Sequence, residues 1–260
     1  MRKDYSVMNE SKFHEVEKGY VVETKLSEQD IKFYNPKKNP FHIYGLYDYK
    51  NQPVYKRLPD NVAMNTNKEV ATLYLDTAGG RIRFATDSKY VAIKTKMPKI
   101  TRFSHMTLTG TTGFDLYIDT DIESRFYNAY QPHIHDSNGY ESILFFPDRS
   151  YRFITINFPS YNHVDEILIG LQSDAVIGEG KIYRNSLPAI FYGSSITQGG
   201  CSSRPGLTYQ NILSRRLNLD YINLGFSSGG KAEDIIVDYM AGLGMSMFIS
   251  DYDHNAPDAE

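Results

Sequence analysis

The sequence predicts two domains in series, an antiparallel β-sandwich followed by a parallel α/β domain. Short segments of alternating polar and apolar residues, separated by turn residues, fill roughly residues 40–175, and such a pattern is typical of an all-β sandwich. After about residue 176 the order becomes strand, helix, strand, helix, strand, which favours a parallel sheet with right-handed crossovers. Gly, Asn and Pro residues at 178–188 separate the two patterns and indicate a connector.

Composition narrows the class of protein. The 260 residues are 41% hydrophobic, as in a globular chain with a core, and the net charge of −3 excludes the basic footprint of a nucleic-acid-binding protein. The single cysteine, Cys201, excludes an internal disulfide. Residues 1–25 contain no apolar signal region, and no apolar run approaches the length of a membrane span. These observations predict a cytoplasmic protein with neither a nucleic acid nor a membrane as partner.

The first predicted domain covers residues 1–180 and consists of short antiparallel strands, each with one solvated face. The predicted strands are residues 41–47, 73–75, 81–84, 91–96, 113–119, 142–146, 151–158 and 166–171. In the segment 91–96, Val91, Ile93 and Thr95 share one face because side chains alternate along a strand. Turns at 76–80 and 86–88 predict hairpins between their flanking strands.

The second predicted domain covers residues 186–260. Its parallel strands are residues 189–192, 221–224 and 247–249, the first being an apolar run that stops at a glycine. Two apolar stripes at helical spacing lie between the strands. The first stripe is Tyr209, Ile212, Leu213 and Leu217, and the second is Ala232, Ile235, Ile236, Tyr239, Met240 and Leu243. Three strands and two helices are few for a doubly wound domain, so we expect residues 1–260 to be the front part of a longer product.

Polar loops follow each of the predicted parallel strands, at residues 193–195, 225–230 and 251–255. All three must emerge at the carboxyl edge of the sheet, where open α/β sheets bind ligands. A hydroxyl, a Gly-rich turn and an Asn amide therefore converge there, and acyl transfer needs a nucleophile with donors for the developing oxyanion. The hypothesis is that Ser195 is the nucleophile; the alternative is a strand-to-helix turn with a capping serine.

These segments resemble a known family. Gly-Ser-Ser-Ile-Thr at 193–197, Asn-Leu-Gly-Phe-Ser-Ser at 223–228 and Asp-Tyr-Asp-His-Asn at 251–255 resemble, in order, the first three blocks of the SGNH/GDSL hydrolases. Gly-Phe-Asp-Leu-Tyr at 113–117 resembles the Gly-x-Asp-Leu-Tyr signature of the β-sandwich that precedes the hydrolase domain in one bacterial branch. The resemblance covers roughly residues 40–260 and implies a flavodoxin-like α/β/α hydrolase domain, here truncated, behind the sandwich.

The resemblance also implies roles for individual residues. Ser195 matches the nucleophile, and its own N–H matches one oxyanion donor. Ser228 stands where the family has a glycine whose N–H is the second donor, and Asn255 matches the side-chain amide donor. The setting of Asn255 departs from the family, because Asp-His-Asn-Ala replaces Gly-x-Asn-Asp. Neither a metal nor an organic cofactor is implied.

The fourth family block, an Asp-x-x-His that supplies the general base, has no match in this sequence, and we expect it beyond residue 260. A serine hydroxyl is a weak nucleophile without a base, so negligible esterase activity is predicted for residues 1–260 alone. His254 is a possible substitute base. Neighbouring residues at a strand end point to opposite sides, so if Asn255 faces the site, His254 is predicted to be a structural residue.

The implied function is a serine carboxyl-ester hydrolase, a deacetylase or esterase acting on an acylated carbohydrate or a small acylated metabolite. Two alternatives remain open. One is a non-catalytic protein whose sandwich binds a glycan, and the other is an acyltransferase that uses the same serine. The expected partner is a small-molecule or carbohydrate ester.

Other groups of residues predict alternative sites, but the sequence evidence for each of them is weaker. His133 and His135 beside Asp136 offer only part of a zinc site, so a polar loop is the preferred interpretation. Asp251 and Asp253 could be paired carboxylates of a glycosidase, but we expect them to order hydrogen bonds near the third loop. The loop 225–230 lacks the glycine order of a nucleotide site.

Two further side chains near the nucleophile have ambiguous roles. Cys201 is predicted to be a small buried residue and not a reactive thiol. Arg204 either reaches the pocket or is a solvated surface residue.

Overall fold

The computed structural model of the protein describes residues 12–16 and 20–256. The strands in chain order are β1 (Lys12–Val16), β2 (Tyr20–Thr24), β3 (Ile31–Tyr34), β4 (His42–Tyr44), β5 (Arg81–Thr86), β6 (Tyr90–Lys96), β7 (Phe114–Asp119), β8 (Ser124–Tyr130), β9 (Glu141–Phe145), β10 (Arg152–Asn157), β11 (Glu166–Gln172), β12 (Ile177–Glu179), β13 (Ala189–Gly193), β14 (Tyr221–Gly225) and β15 (Met247–Asp251). The helices are α1 (Asp60–Thr66), α2 (Lys68–Leu73), α3 (Leu108–Thr111), α4 (Ser195–Gln198), α5 (Tyr209–Leu217) and α6 (Asp234–Ala241).

Two antiparallel sheets form the sandwich. Within the described residues, one sheet has the order β12-β5-β10-β7-β8, with β4 also paired to β5, and the other has the order β3-β11-β6-β9. Buried apolar side chains of both sheets form one core, represented by Ile82 and Ile156 from the first sheet and Ile93 and Ile169 from the second. The predicted antiparallel β-sandwich is therefore confirmed. Strands β1, β2, β3, β8 and β12 were not expected from the sequence.

Two local predictions in this region are wrong. Residues 73–75 do not form a strand, because α2 continues to Leu73 after a cap in which the Val70 N–H donates to the Asn67 side chain at 2.8 Å. Residues 86–88 do not close a hairpin, because β5 and β6 belong to different sheets. Strand β5 also lacks the expected solvated face, since all of its residues are buried.

The second sheet system is parallel, as predicted. Strand β13 lies between β14 and β15 and pairs in parallel with both, so that Gly193 is opposite Gly225 and Asp251. Helix α6 buries Ile236 and Met240 of the predicted stripe. The mixed fold class, all-β followed by parallel α/β, is confirmed.

Helix α5 exists where the sequence predicts it, but its buried face is different. Leu213 and Leu217 are 39% and 55% exposed, whereas Gln210, Asn211 and Ser214 are buried. The buried face is polar because it packs on backbone carbonyls. Gln210 Nε2 donates to the Thr197 carbonyl at 2.7 Å, and the Ser214 hydroxyl donates to the carbonyl of residue 219 at 2.7 Å.

The N-terminal part of the chain contributes to the core of the α/β layer. Val62 of α1 and Val70 of α2 belong to one buried cluster with Tyr192, Leu224 and Ile236. The predicted domain limits, residues 1–180 and 186–260, stay a prediction. None of the helices in the described part of the chain has both the length and the apolarity needed to cross a membrane.

Arginines from the N-terminal part cover the outer edge of β14. The Arg57 guanidinium donates to the carbonyls of Asn223 at 3.3 Å and Gly225 at 2.5 Å. The Arg81 guanidinium donates to the Tyr221 carbonyl at 3.1 Å from each of its two terminal nitrogens. Both arginines are fully buried. Every second carbonyl of β14 is therefore satisfied by a side chain where another strand would otherwise pair.

Candidate active site

The turn after β13 gives its two serines different roles. Ser194 is the N-cap of α4, and its hydroxyl accepts the Ile196 N–H at 3.2 Å. Ser195 is the first residue of α4, and its partly exposed hydroxyl has no hydrogen-bond partner within residues 12–16 and 20–256. A Cβ at Gly193 would overlap the Asp251 carbonyl oxygen, so the turn requires glycine. The capping serine considered in the sequence analysis is thus Ser194, and the Ser195 hydroxyl is not used as the cap.

Hydrogen bonds bring the loops after all three parallel strands to one edge. The Ser194 N–H donates to the Asp251 carbonyl at 3.0 Å, and the Phe226 N–H donates to the Gly193 carbonyl at 2.9 Å. The Asn255 side-chain amide donates to the Phe226 carbonyl at 3.1 Å. The structure therefore places the three predicted site residues on loops that contact each other directly.

Two backbone donors in these loops are available. The N–H groups of Ser195 and Ser228 meet no acceptor in the described part of the chain. Ser228 has φ +57°, a left-handed conformation that glycine adopts without strain. The side chain of Ser228 is exposed. Ser228 thus adopts a conformation that suits the expected glycine, and its N–H has no acceptor among the described residues.

Side chains that lie behind the loops fix their positions. Asn223 Nδ2 donates to the Thr197 carbonyl at 2.7 Å, and Asn223 Oδ1 accepts the Gly225 N–H at 2.8 Å. Gln198 Oε1 accepts the Ser227 N–H at 2.9 Å. Asn223 and Gln198 are both buried. They join the helix that carries Ser195 to the loop that carries Ser228, a role that the sequence analysis did not assign.

Residues of the N-terminal part of the chain bond the side chains that fix the loops of the site. Gln198 Nε2 donates to Asp76 Oδ2 at 3.1 Å, and Arg57 Nε donates to the Asp76 carbonyl at 2.7 Å. Burial raises the pKa of Asp76 to about 7, although the nearby Arg57 charge opposes the rise. Burial lowers the pKa of Arg57 to about 10, so its guanidinium stays charged at neutral pH. The charged guanidinium can therefore hold the Gly225 carbonyl in place throughout the physiological range.

Loops of the sandwich border the site. The Tyr161 hydroxyl donates to the Ser195 carbonyl at 3.1 Å, and the Phe103 ring packs edge-on against Tyr161 with centroids 6.0 Å apart. The Thr107 hydroxyl donates to the Ser203 carbonyl at 2.8 Å. Burial raises the pKa of Tyr161 to about 12, so it remains a donor at neutral pH. Loops of the sandwich therefore contact the segment that carries Ser195 directly.

Asp115, the aspartate of the Gly-x-Asp-Leu-Tyr signature, links the sandwich to the segment before helix α5. Its buried carboxylate accepts from Asn157 Nδ2 at 2.7 Å and from the Gly206 N–H at 2.8 Å. Arg204 Nε lies 3.4 Å from the same carboxylate, and the Arg204 guanidinium stacks on the Phe126 ring at 3.8 Å. Arg204 is therefore part of the contact between the two domains. With a side chain only 23% exposed and close to Asp115, Arg204 is not the solvated surface residue considered in the sequence analysis.

Two expectations for neighbouring residues need correction. Cys201 is exposed and not buried, and it lies in a turn where its backbone adopts the left-handed region at φ +61°. His254 is exposed and lies in the 3-10 turn Asp253–Asn255, so the strand alternation used to orient it does not apply. No histidine in the described part of the chain is hydrogen-bonded to the Ser195 hydroxyl.

The other groups of residues considered in the sequence analysis are a possible metal site around His133 and a possible carboxylate pair that includes Asp251. His133 sits in a polar turn in which its N–H donates to the Asp136 carboxylate at 2.7 Å. Among the described residues, no group of three or more His, Cys, Asp or Glu side chains is placed to hold a metal ion. Asp251 Oδ2 accepts the Thr197 hydroxyl at 3.1 Å, so this carboxylate orders the turn after β13. The expected role of Asp251 and Asp253 near the third loop stays a prediction.

The fold defines the class: a parallel α/β domain joined to an antiparallel β-sandwich. The family model described as the N-terminus of SGNH-hydrolase-type esterases (GxDLY) matches residues 31–177. The model of the GDSL-like lipase/acylhydrolase family matches residues 186–260. Because the first match covers more than half of the chain, the protein belongs to the SGNH-type esterases that carry a Gly-x-Asp-Leu-Tyr N-terminal domain. The resemblance found in the sequence is thereby confirmed.

Solved structures show the same architecture. A protein of Bacteroides ovatus ATCC 8483 described as a GDSL-like lipase is 27% identical, with a TM-score of 0.79 over 87% of this chain and 65% of its own. The salicylyl-acyltransferase SsfX3 from a tetracycline biosynthetic pathway is 18% identical, with a TM-score of 0.64 over 85% of this chain and 61% of its own. A family two carbohydrate esterase of Clostridium thermocellum is 11% identical, with a TM-score of 0.51 over 84% of this chain and 66% of its own.

The chain thus spans less than two thirds of the length of each of these three proteins. Comparison with curated protein sequences finds no match.

Proposed function

We propose that the protein is a serine carboxyl-ester hydrolase in which Ser195 is the nucleophile. The observation that supports this most is the contact between the three loops at the carboxyl edge of the sheet, through the Ser194–Asp251, Phe226–Gly193 and Asn255–Phe226 hydrogen bonds. Given this contact, we expect the Ser195 hydroxyl to act together with the N–H groups of Ser195 and Ser228 and with the Asn255 amide. Acyl transfer requires that combination.

In the proposed reaction the Ser195 oxygen attacks the ester carbonyl. The N–H groups of Ser195 and Ser228 and the amide of Asn255 stabilise the oxyanion of the tetrahedral intermediate. One such donor is worth roughly 10²–10³ in rate in a well-studied protease. The intermediate collapses with loss of the alcohol, leaving the acyl group on Ser195, and water then releases the acid. A base must accept the Ser195 proton, and the described residues supply none by hydrogen bond.

Labelling of the full gene product with a fluorophosphonate probe tests the nucleophile. We expect labelling to be lost in Ser195→Ala. The adjacent Ser194→Ala is the matched control, because it removes a helix cap worth about 1 kcal/mol of stability but not the proposed nucleophile. If labelling survives in Ser195→Ala and disappears in Ser194→Ala, the nucleophile is Ser194 and the proposal is wrong.

Turnover of p-nitrophenyl acetate tests the need for a base. Residues 1–260 alone are expected to turn over negligibly, since an unassisted serine hydroxyl is a weak nucleophile. The full gene product is expected to be active. Equal turnover by the two proteins would contradict the inference that the base lies outside residues 1–260.

We further propose an acylated carbohydrate or a small acylated metabolite as substrate. The fold is shared with a protein described as a carbohydrate esterase and with one described as an acyltransferase. Product analysis with an alcohol acceptor present separates the two reactions. Free acid as the main product supports hydrolysis, whereas a new ester of the acceptor identifies an acyltransferase. A full-length protein that resists the fluorophosphonate and binds glycans would instead be a non-catalytic binding protein.

A further inference from the structure

A cavity of about 380 Å³ lies between the sandwich, the connector and helix α5. The faces of β5, β7 and β10 form one wall, residues 181–184 of the connector form a second, and residues 211–218 form a third. Ser195 lies beyond the carboxyl end of β13, whereas this cavity adjoins Asn218, which precedes the amino end of β14. The proposed esterase reaction uses none of its lining residues.

The lining of this cavity is strongly cationic. Six basic side chains and three carboxylates of the described chain line it. Three of the basic side chains pair with Asp220, Asp119 and Asp121, and the other three have no ion-pair partner among the described residues. The basic residues are Arg81, Arg83, Lys181, Arg184, Arg215 and Arg216. A concave surface with an excess of one charge concentrates ligands of the opposite charge. The cavity therefore favours anions.

Arg83 is the buried centre of this cluster. Its side chain is on the sheet wall, and the residue is only 4% exposed. One terminal nitrogen pairs with Asp119 Oδ2 at 3.1 Å, but that oxygen also accepts the Thr155 hydroxyl at 2.6 Å. The Nε–H and the other terminal N–H group meet no acceptor in the described part of the chain. A guanidinium stays protonated at neutral pH, so these buried donors need an acceptor from outside the described residues.

Arg215 presents a similar group from the opposite wall. Its guanidinium stacks on the Tyr117 ring at 4.2 Å, which fixes its orientation. One of its terminal nitrogens is buried without an acceptor among the described residues. Two guanidinium groups on facing walls thus share one cavity, and each has donor capacity to spare. Buried polar groups without partners are rare in native proteins, and each calls for an explanation.

We propose that this cavity binds a small organic anion, a carboxylate or a phosphate monoester of about the size of a sugar. Its volume falls in the range of small-molecule sites. Guanidinium groups match the planar carboxylate and the phosphate through paired hydrogen bonds. An anionic group in the cavity supplies the acceptors that Arg83 and Arg215 lack. The inference is independent of the proposed esterase activity.

Isothermal titration calorimetry of residues 1–260 at fixed salt tests this site with three probes of similar size. Glucuronate carries a carboxylate, glucose 6-phosphate carries a phosphate, and glucose is uncharged. One-site binding of either anion, at least tenfold tighter than any binding of glucose, supports the proposal and identifies the preferred anion. The absence of saturable binding by both anions, or equally tight binding of glucose, overturns it.

Variants assign the binding to this cavity. Arg83→Gln would leave Asp119 without its ion pair and can unfold the sandwich, so Arg215→Gln and Arg184→Gln, at lining residues without an ion-pair partner in the described chain, carry the test. Each is expected to raise the Kd for the anion at least fivefold while the circular dichroism spectrum stays unchanged. Arg149→Gln is the matched control, because it makes the same charge change beside Asp87 and Asp174, outside the cavity. Unchanged Kd values in both cavity variants would overturn the assignment.

Discussion

Ser228 holds its backbone in the left-handed region, at φ +57°, on the loop that carries a proposed oxyanion donor. For residues other than glycine this conformation costs about 1–2 kcal/mol. The exposed side chain adds no hydrogen bond within the described residues to offset that cost. We therefore predict that Ser228→Gly raises the free energy of unfolding by about 1 kcal/mol, measured by urea denaturation.

The adjacent serine supplies the control for this prediction. Ser227 is not among the residues with positive φ, and its N–H already bonds Gln198 Oε1 at 2.9 Å. Ser227→Gly should therefore lower stability by a few tenths to 1 kcal/mol through added freedom of the unfolded chain. If both glycine variants shift stability in the same direction, strain at Ser228 is not the cause.

The carboxyl group of Asp115 makes the free energy of unfolding depend on pH. Burial raises its pKa from 3.8 to about 6, although Asn157 and the Gly206 N–H partly stabilise the carboxylate. The folded chain therefore binds this proton more tightly than the unfolded chain does. The contribution of Asp115 to stability is greatest at low pH and falls as the pH rises from about 4 to about 6. At pH 7 the loss amounts to as much as about 3 kcal/mol.

Urea unfolding between pH 4 and pH 7 tests this contribution. We predict that Asp115→Asn flattens the decline in the free energy of unfolding over that range and lowers stability at pH 4.5. An amide cannot accept from Asn157 and Gly206 with both of its polar atoms. Asp238→Asn is the control, because that residue is exposed and has no ion-pair partner among the described residues. A decline that is equally steep in Asp115→Asn would exclude this carboxyl as its source.

The elements show what sequence patterns can and cannot predict. Alternation correctly predicts β5, yet its polar residues Arg81 and Arg83 are buried. The period of a strand reveals two faces, but it does not reveal what covers each one. Here the polar face of β5 lies against the second domain, where Arg81 pairs with Asp220. The part of this contact that β5 contributes is therefore polar, and alternation alone misidentified the polar face of β5 as solvent-facing.

The predictions for short segments were wrong for a different reason. An apolar run of three residues fits a strand and the end of a helix equally well, and at residues 73–75 the Asn67 cap decides for the helix. In α5 the apolar stripe gives the correct helix but the wrong face, because Gln210 and Ser214 bond to carbonyls that come from tertiary contacts. Long, strongly periodic segments such as α6 were placed correctly.

The candidate site was predictable where a topological rule determined it. The carboxyl ends of parallel strands share one edge, and this placed the loops of Ser195, Ser228 and Asn255 together. The supporting contacts were not predictable, since they join distant parts of the sequence. Arg57 bonds the Gly225 carbonyl across 168 positions, and no local pattern marks the pair.

Arg57 should be one of the least replaceable residues in the chain. It donates to the carbonyls of Leu73, Asp76, Asn223 and Gly225, and its guanidinium lies 4.3 Å from the Phe226 ring. A lysine keeps the charge, but its compact ammonium cannot span these acceptors. We predict that Arg57→Lys lowers the free energy of unfolding by about 3 kcal/mol or more, because several buried carbonyls lose their donor.

Arg149→Lys is the matched control for this substitution. Arg149 bonds Asp87 and Asp174 at a partly exposed position, and such pairs contribute at most about 1 kcal/mol. Urea denaturation of both variants gives the comparison. If Arg57→Lys is no less stable than Arg149→Lys, the carbonyls at the end of β14 do not depend on the guanidinium.

At the scale of the whole molecule, the two edges of the parallel sheet differ. The edge at β14 is closed by Arg57 and Arg81, whose donors occupy the carbonyls that another strand would bond. The edge at β15 pairs only with β13 on its inner side within the described residues. Unpaired edges with apolar side chains promote association. The N-terminal part of the chain therefore protects one edge of this sheet from association and leaves the other edge open.

This asymmetry predicts self-association through β15. Met247 and Phe248 on this strand are 54% and 47% exposed. Phe248 also lines an apolar cavity of about 310 Å³ beside Met240 and Tyr252. We predict that the light-scattering mass of residues 1–260 rises with concentration and that Phe248→Lys suppresses the rise, because an edge lysine opposes strand pairing. Ile134→Lys adds the same charge at an exposed loop and should have no effect. A monodisperse monomer at high concentration would show instead that the open edge of β15 does not drive association.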